Sequence, residues 1–178
     1  MKIHKIPSPN RSSRNGQQID MIVIHAASLP PGEFGTGYVL DLFLNRLDSN
    51  IHPSFKELEG LKVSAHYFIE REGKVIELVD PDQMAWHAGV SAFGGREGCN
   101  SFSVGIELEG STSHPFTEQQ YRSLRDLCML LMERYPLITP ERIVGHSDIA
   151  PGRKEDPGPF FAWGRLRNEL REGSKGNA

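Results

Sequence analysis

Only two cysteines, Cys99 and Cys128, occur in the 178 residues. They are too few and too far apart for a disulfide framework or a thiolate zinc site. Cys128 lies in an apolar helical pattern and reads as a buried thiol, and reduced thiols agree with a cytoplasmic home. Long apolar runs are also missing. None approaches the ~18 residues of a membrane span, so no stable membrane insertion is expected. The N-terminus, Met1-Lys2-Ile3-His4-Lys5-Ile6-Pro7, carries no apolar stretch of signal-peptide length. The chain as written is therefore expected in the cytoplasm, unless an export signal has been removed from it. A basic excess is lacking too: the net charge is −3 and the pI is near 6.2. That disfavours nucleic acid as a partner. There is no internal repeat, no Gly-X-Y period and no low-complexity segment.

What remains is a soluble globular composition, 38% hydrophobic and 24% charged with both signs mixed. The length fits one domain of ~100–200 residues. Glycine and proline make up about 17% of the chain, against a usual ~12%. Many turns and long loops around a modest core are expected. Residues 1–20 are polar and read as an N-terminal extended arm, residues 21–170 as the folded domain, and residues 171–178 as a flexible tail.

Met21-Ile22-Val23-Ile24 is a continuous β-branched run, short enough for a buried strand, and it ends in His25. Residues 28–37 form a Pro- and Gly-rich loop. Val39, Leu40, Phe43, Leu44 and Leu47 recur at helical spacing and predict a short amphipathic helix over 38–47. Residues 63–69 and 74–79 flank Glu70-Arg71-Glu72-Gly73, which reads as a hairpin with Gly73 supplying the turn. Residues 80–102 look like another long loop, and loops of that length are often functional. In the strand over 103–108, Val104, Ile106 and Leu108 share one face while Gly105 and Glu107 share the other. Thr117-Glu118-Gln119-Gln120 is a capping box, followed by a stripe of Tyr121, Leu124, Leu127, Cys128, Leu131 and Tyr135. Pro136 ends that helix. Thr139-Pro140 opens a brief turn, Ile143-Val144-Gly145 reads as a strand delivering His146, and a last helix is expected over 161–170. Strands alternate with helices, so the fold class is α/β: a single domain with a mixed sheet, since the hairpin contributes an antiparallel pair.

Of seven histidines, His25 and His146 directly follow strand-like runs. Strand ends are where an α/β sheet presents functional groups. Residues 145–158, Gly-His-Ser-Asp-Ile-Ala-Pro-Gly-Arg-Lys-Glu-Asp-Pro-Gly, add Lys154 and two carboxylates in one rigid loop. Two imidazoles and a carboxylate make a three-ligand zinc site with an open fourth position. Spacing leaves Asp148 and Asp156 both open as the third ligand. There is no HExxH, which excludes a zincin. Glu107 fits either an edge strand with its carboxylate in water or a metal pocket, where it would take a proton from a metal-activated water. Lys154 beside a metal would stabilise the oxyanion formed when water adds to a carbonyl. Trp86-His87-Ala88-Gly89 fits packing or the wall of a substrate cleft, and His66 inside the hairpin reads as structural.

Several segments occur in one order that resembles a known family: Val23-Ile24-His25, residues 28–35, Val63-Ser64-Ala65-His66, Ala85-Trp86-His87-Ala88-Gly89-Val90-Ser91, Gly105-Ile106-Glu107-Leu108-Glu109-Gly110, Gly145-His146, Asp148-Ile149-Ala150-Pro151 and Arg153-Lys154-Glu155-Asp156-Pro157-Gly158. Together, from about Pro7 to Arg167, the chain resembles the AmpD-type zinc N-acetylmuramoyl-L-alanine amidases of the amidase-2 family. The resemblance implies a central mixed β-sheet flanked by helices, as in peptidoglycan recognition proteins, with residues 21–170 as the catalytic domain. It implies Zn2+ held by His25, His146 and Asp156, with Glu107 as general acid/base and Lys154 at the oxyanion. It also implies a muropeptide substrate, cleaved between the lactyl group of (1,6-anhydro-)N-acetylmuramic acid and L-alanine during cell-wall recycling. A monomer is expected. Lys62, Trp86 and His87 are the expected substrate-binding residues.

Three positions depart from the family pattern. Ala26 stands where Asn is usual, and Lys62 and Gly98 stand where Arg is usual. Lys62 keeps a charge without the bidentate fork, and Gly98 keeps neither. Weaker discrimination for a diaminopimelate-bearing stem peptide is the expectation. Two other readings share the fold: a non-catalytic peptidoglycan-binding module, which the complete ligand set and Glu107 disfavour, and a lytic or remodelling amidase acting on intact sacculi.

Overall fold

The computed structural model describes residues 1–175, and among them are ten strands and four α-helices. In chain order these are β1 (Ile3–Lys5), β2 (Arg11–Ser13), β3 (Met21–Ala27), α1 (Tyr38–Phe43), β4 (Tyr67–Ile69), β5 (Val75–Glu77), β6 (Gln83–Ala85), β7 (Ala92–Phe93), β8 (Arg96–Glu97), β9 (Ser103–Glu109), α2 (Glu118–Arg134), β10 (Ile143–Gly145), α3 (His146–Ile149) and α4 (Trp163–Lys175). Six strands form one sheet in the order β1-β5-β4-β9-β3-β10. All neighbours in it are parallel except the β4–β5 hairpin.

The β-branched run of β3 lies inside the sheet, and all seven residues of β9 are buried beside it. Strands covered on both faces tolerate such continuous apolar runs. Side chains alternate across the sheet. Ile22, Ile24, Val104, Ile106 and Leu108 point into one core with Tyr121, Leu124, Leu127, Cys128 and Leu131 of α2 and Leu166 and Leu170 of α4. Met21 and Val23 point the other way and pack with Ala88, Cys99, Phe102 and Ile149, while α1 covers Phe68 and Ile76 through Val39 and Phe43. Both cysteines are free and buried.

Helix α2 starts where the capping box predicts. Thr117 Oγ1 accepts the Gln120 amide, and Gln120 Oε1 accepts the Thr117 amide. Buried Gln120 also donates to the carbonyls of Ile69 and Glu109, which docks the helix on the ends of β4 and β9. Gly73, at φ +84°, closes the β4–β5 turn, and its amide donates to Glu70.

Other expectations are corrected. The helix read over 38–47 ends at Phe43, because Asn45 takes a left-handed φ of +57° and turns the chain away. Residues 80–102 are not structureless: they hold β6, the β7–β8 hairpin and a 3-10 turn at Cys99–Ser101. The hairpin strands are shorter than read, since residues 63–66 are irregular. Residues 1–20 lie along the domain, with β1 as the sheet edge on β5 and β2 paired to β6. Their anchor is Arg14, 6% exposed, which donates to the carbonyls of Pro81, Asn100, Ser101 and Ser103. Burial, with no carboxylate in contact, pushes its guanidinium down to about 10. Of the tail read over 171–178, residues 171–175 continue α4, and residues 176–178 lie outside the described residues.

Candidate metal centre and active site

Three neighbouring parallel strands, β10, β3 and β9, end on the same side of the sheet. His25 sits two residues before the end of β3, which runs past the expected stop to Ala27, and pairs in register with Glu107 of β9. Strand β10 hands its chain to α3, whose first residue is His146. The loop after α3 returns when the Ser147 amide donates to the Asp156 carbonyl at 3.0 Å. Gly145 permits that return, because a Cβ there would lie 2.9 Å from Pro157 Cδ.

The result is a triangle of donor atoms. His25 Nδ1 and His146 Nδ1 are 2.9 Å apart, and each lies 3.3 Å from Asp156 Oδ2. A tetrahedral zinc ion with ligands at ~2.0–2.2 Å has ligand–ligand edges of roughly 3.3 Å. The donor chemistry fits as well. His146 Nε2 donates to the Ala88 carbonyl at 3.0 Å, which leaves Nδ1 with its lone pair in the neutral ring. His25 turns its Nε2 to His87 Nδ1 at 2.8 Å, so its Nδ1 also faces the triangle. Burial holds the His25 imidazole below its ordinary value, which keeps a proton from filling the gap at neutral pH. Burial alone would raise the Asp156 carboxyl, but the adjoining His146 and His25 rings outweigh it and hold the group well below the ordinary carboxylate range. Two lone pairs and an anionic oxygen in contact call for a cation. This trio is the one potential metal-binding cluster among the described residues.

Asp148, the other candidate carboxylate, is turned away. Its Oδ2 accepts the Gly145 amide at 2.7 Å and caps its own short helix.

The triangle lies in a cavity of about 250 Å³ that Glu107 and Lys154 also line. Glu107 is on an interior strand and only 8% exposed, not at a sheet edge in water. Burial first, and the Asp156 carboxylate second, push its carboxyl well above the ordinary range, with the Lys154 ammonium opposing. A buried carboxyl with a raised pKa is suited to proton transfer near neutrality. Larger hollows, such as the one between residues 13–19 and 134–137 of about 500 Å³, hold no comparable cluster.

Trp86 and His87 are on the cavity wall, which also includes the apolar side chains of Leu29, Val39, Leu42 and Phe43. Lys62 is exposed and lies just outside, in a hollow that shares Leu42, Leu58 and Leu61 with the cavity. Ala26 lines the cavity, whereas Gly98 borders a separate hollow with Val90, Pro151 and Arg153. His66 is fully buried outside the site: Nδ1 accepts the Gly105 amide and Nε2 donates to the Gln83 carbonyl. Sequence reasoning missed Arg153, which donates to the same Ala88 carbonyl that His146 uses. Backbone acceptors carry no residue signature, so no motif could have announced that contact.

Comparison with known proteins gives the same outline. The family model described as N-acetylmuramoyl-L-alanine amidase matches residues 15–159. The chain is 52% identical to the 1,6-anhydro-N-acetylmuramyl-L-alanine amidase AmpD of Haemophilus influenzae, over 94% of this chain and 91% of that protein. A crystal structure of a selenomethionine AmpD derivative superposes with a TM-score of 0.91 at 44% identity, covering 94% of both chains. The amidase AmiD of Escherichia coli, solved as a complex with its substrate anhydro-N-acetylmuramic acid-L-Ala-D-gamma-Glu-L-Lys, superposes with a TM-score of 0.64 at 30% identity, over 92% of this chain and 60% of that one.

Proposed function

The chain belongs to the N-acetylmuramoyl-L-alanine amidase family, and from that footing we propose that it is a zinc amidase of cell-wall recycling. It hydrolyses the amide between the lactyl group of 1,6-anhydro-N-acetylmuramic acid and the L-alanine of the stem peptide. The observation that carries this reading is the donor triangle of His25, His146 and Asp156 sharing one cavity with buried Glu107. High identity to AmpD over nearly the whole chain supports the substrate class.

Amides are poor electrophiles and water is a poor nucleophile at neutral pH. His25, His146 and Asp156 would hold a zinc ion, which when bound would supply Lewis acidity, lowering the pKa of water towards ~7 and polarising the scissile carbonyl. Glu107 takes the proton of the attacking water on its carboxylate and gives it to the leaving nitrogen of L-alanine, a role worth roughly 10²–10⁴ in rate. Burial tunes it for both halves of that task. Lys154, at the cavity wall, offers its ammonium to the developing oxyanion. Trp86 and the apolar side chains of the wall receive the sugar and lactyl methyl. Exposed Lys62 lies where it can reach stem-peptide carboxylates, as a point charge and not a bidentate fork. With no arginine at 62 or 98, selection for a diaminopimelate-bearing stem is weak.

We assign the reaction to the cytoplasm. Two buried free thiols suit a reducing compartment, and no described helix is long and apolar enough to cross a membrane. Metal analysis of the purified protein, with mass spectrometry of products from soluble anhydromuropeptides and from purified sacculi, tests the whole reading. One zinc per chain and preferential release of peptide from the soluble substrate are expected. Preferential turnover of sacculi would move the enzyme to a lytic role, and absence of any amide cleavage would overturn the proposal.

A further inference from the structure

His87 stands on the cavity wall, yet both of its ring nitrogens are spent on protein partners. Nδ1 meets His25 Nε2 at 2.8 Å, and Nε2 meets Ser103 Oγ at 3.1 Å. Ser103 is fully buried, and its hydroxyl donates to the Cys99 carbonyl at 2.5 Å. A carbonyl can only accept, so the direction of every bond in the chain is fixed from that end. The single Ser103 proton goes to Cys99, and Oγ must therefore accept from His87 Nε2–H. The neutral His87 ring then has a lone pair on Nδ1, which accepts from His25 Nε2–H. His25 is left with its Nδ1 lone pair aimed at His146 and Asp156.

The sequence makes room for this arrangement at one position. Gly105, two residues before Glu107 on the same face of β9, lies directly under the His87 ring. A Cβ there would be 2.4 Å from His87 Cγ and 2.6 Å from Nδ1. The His25 and His87 rings meet edge-on at 84°, with centroids 5.0 Å apart.

We propose that His87 and Ser103 are positioning residues of the metal centre, forming a one-way relay from the Cys99 carbonyl that locks His25 in the tautomer able to ligate. His146 is locked more directly by the Ala88 carbonyl, so both ligand rings are anchored on main-chain oxygens of residues 80–102. This inference rests on the zinc reading above and assigns His87 to holding the ligand ring, not to binding substrate. Outer-sphere partners of ligand histidines typically change metal affinity by ~10–100-fold.

The test uses the full-length chain stripped of metal, with zinc alone as the probe. The zinc dissociation constant is measured by chelator competition for the parent, His87→Ala, His87→Asn and Ser103→Ala. Unfolding of the metal-free forms is followed in parallel. An asparagine oxygen falls near the His87 Nδ1 position and is a permanent acceptor. His87→Asn should therefore bind zinc within about threefold of the parent, while His87→Ala weakens it by ~10–100-fold and Ser103→Ala by a smaller factor in the same direction. Nitrogen-15 spectra of the metal-free parent should show His25 protonated at Nε2, and His87→Ala should show a tautomer mixture. If the parent binds zinc and His87→Ala binds it equally well, the relay is overturned and the zinc reading survives. Equal losses in His87→Asn and His87→Ala would reduce His87 to packing. A parent His25 protonated at Nδ1 overturns the relay even where a variant fails to fold. A parent that binds no zinc removes the zinc reading itself, and the relay's purpose with it.

Discussion

Mild acid should destabilise this fold through its buried imidazoles, and His66 supplies a calculable part of the loss. The ring is fully buried, its Nδ1 holds the Gly105 amide, and its Nε2 holds the Gln83 carbonyl. Burial first, and the Arg14 guanidinium second, press its pKa down to about 3. The unfolded chain has an ordinary imidazole near ~6.5. Between those values the unfolded state binds more protons than the folded one, so stability rises with pH. The contribution is complete above ~6.5 and is lost as the pH falls towards the folded value. From pH 7 to pH 5 the unfolded ring takes up most of a proton and the folded ring almost none, which integrates to about 2 kcal/mol. For a chain of this length that corresponds to roughly 4–8 °C in Tm. The assay is urea unfolding of metal-free protein at half-unit steps between pH 7 and 5, for the parent and for His66→Gln. Glutamine can present one acceptor and one donor but no titrating group. The variant's stability should fall by ~2 kcal/mol less than the parent's over this range, whatever its absolute stability. His25 and His87, whose pKa values burial also lowers, titrate in both proteins and cancel in the difference. Equal pH slopes in the two proteins would refute the assignment.

Asp156→Ala should lose zinc and activity together, because two imidazoles alone leave the ion weakly held. A full zinc equivalent with full turnover in that variant would show the ligand set to be wrong. Glu107→Gln should keep zinc and substrate binding while kcat falls at least ~100-fold, as expected for a lost proton carrier. A near-normal kcat would return Glu107 to a structural role. Gly73→Ala should destabilise the fold by roughly 1–3 kcal/mol, since φ is +84° and the new Cβ would lie 2.8 Å from the Gln119 carbonyl oxygen. Thermal unfolding measures this, and an unchanged Tm would mean that the turn adjusts at no cost.

Much of the scaffold was legible because its signals are local. The β-branched run of β3, the alternation along β9, the capping box of α2 and the Gly73 turn each depend on residues close in sequence. So does the placing of His25 and His146 towards the C-terminal side of the sheet, although β3 runs two residues past His25, to Ala27, where its pairing with β9 continues. The illegible parts depend on contacts far apart in the chain. Arg14 looks like one more polar residue of an extended arm until Pro81, Asn100, Ser101 and Ser103 supply carbonyls for it. Asp148 and Asp156 are equal candidates by spacing, and the Gly145 amide, which occupies Asp148, separates them. Residues 80–102 read as a loop because their work around the site is done by the carbonyls of Ala88 and Cys99, which every residue type possesses.

Strand β9 shows why a small shift in this sheet would cost function as well as stability. Ser103, Gly105, Glu107 and Glu109 share one face of the strand, while Val104, Ile106 and Leu108 fill the core on the other. Along that polar face Ser103 meets His87, Gly105 leaves space for the same ring, and Glu107 enters the cavity. Glu109 accepts the Gly35 and Arg71 amides, holding the 28–37 loop against the hairpin turn. A slip of one residue against β3 would exchange the two faces. It would put Ile106 opposite His25, where Glu107 now pairs, and would bury the Glu107 carboxylate in the core of α2 and α4. The apolar face that α2 requires therefore fixes the register, and the register brings the carboxyl, the cleared space and the hydroxyl to the metal side. Core substitutions along the even positions of β9 should accordingly disturb zinc affinity and turnover, although none of those side chains faces the site.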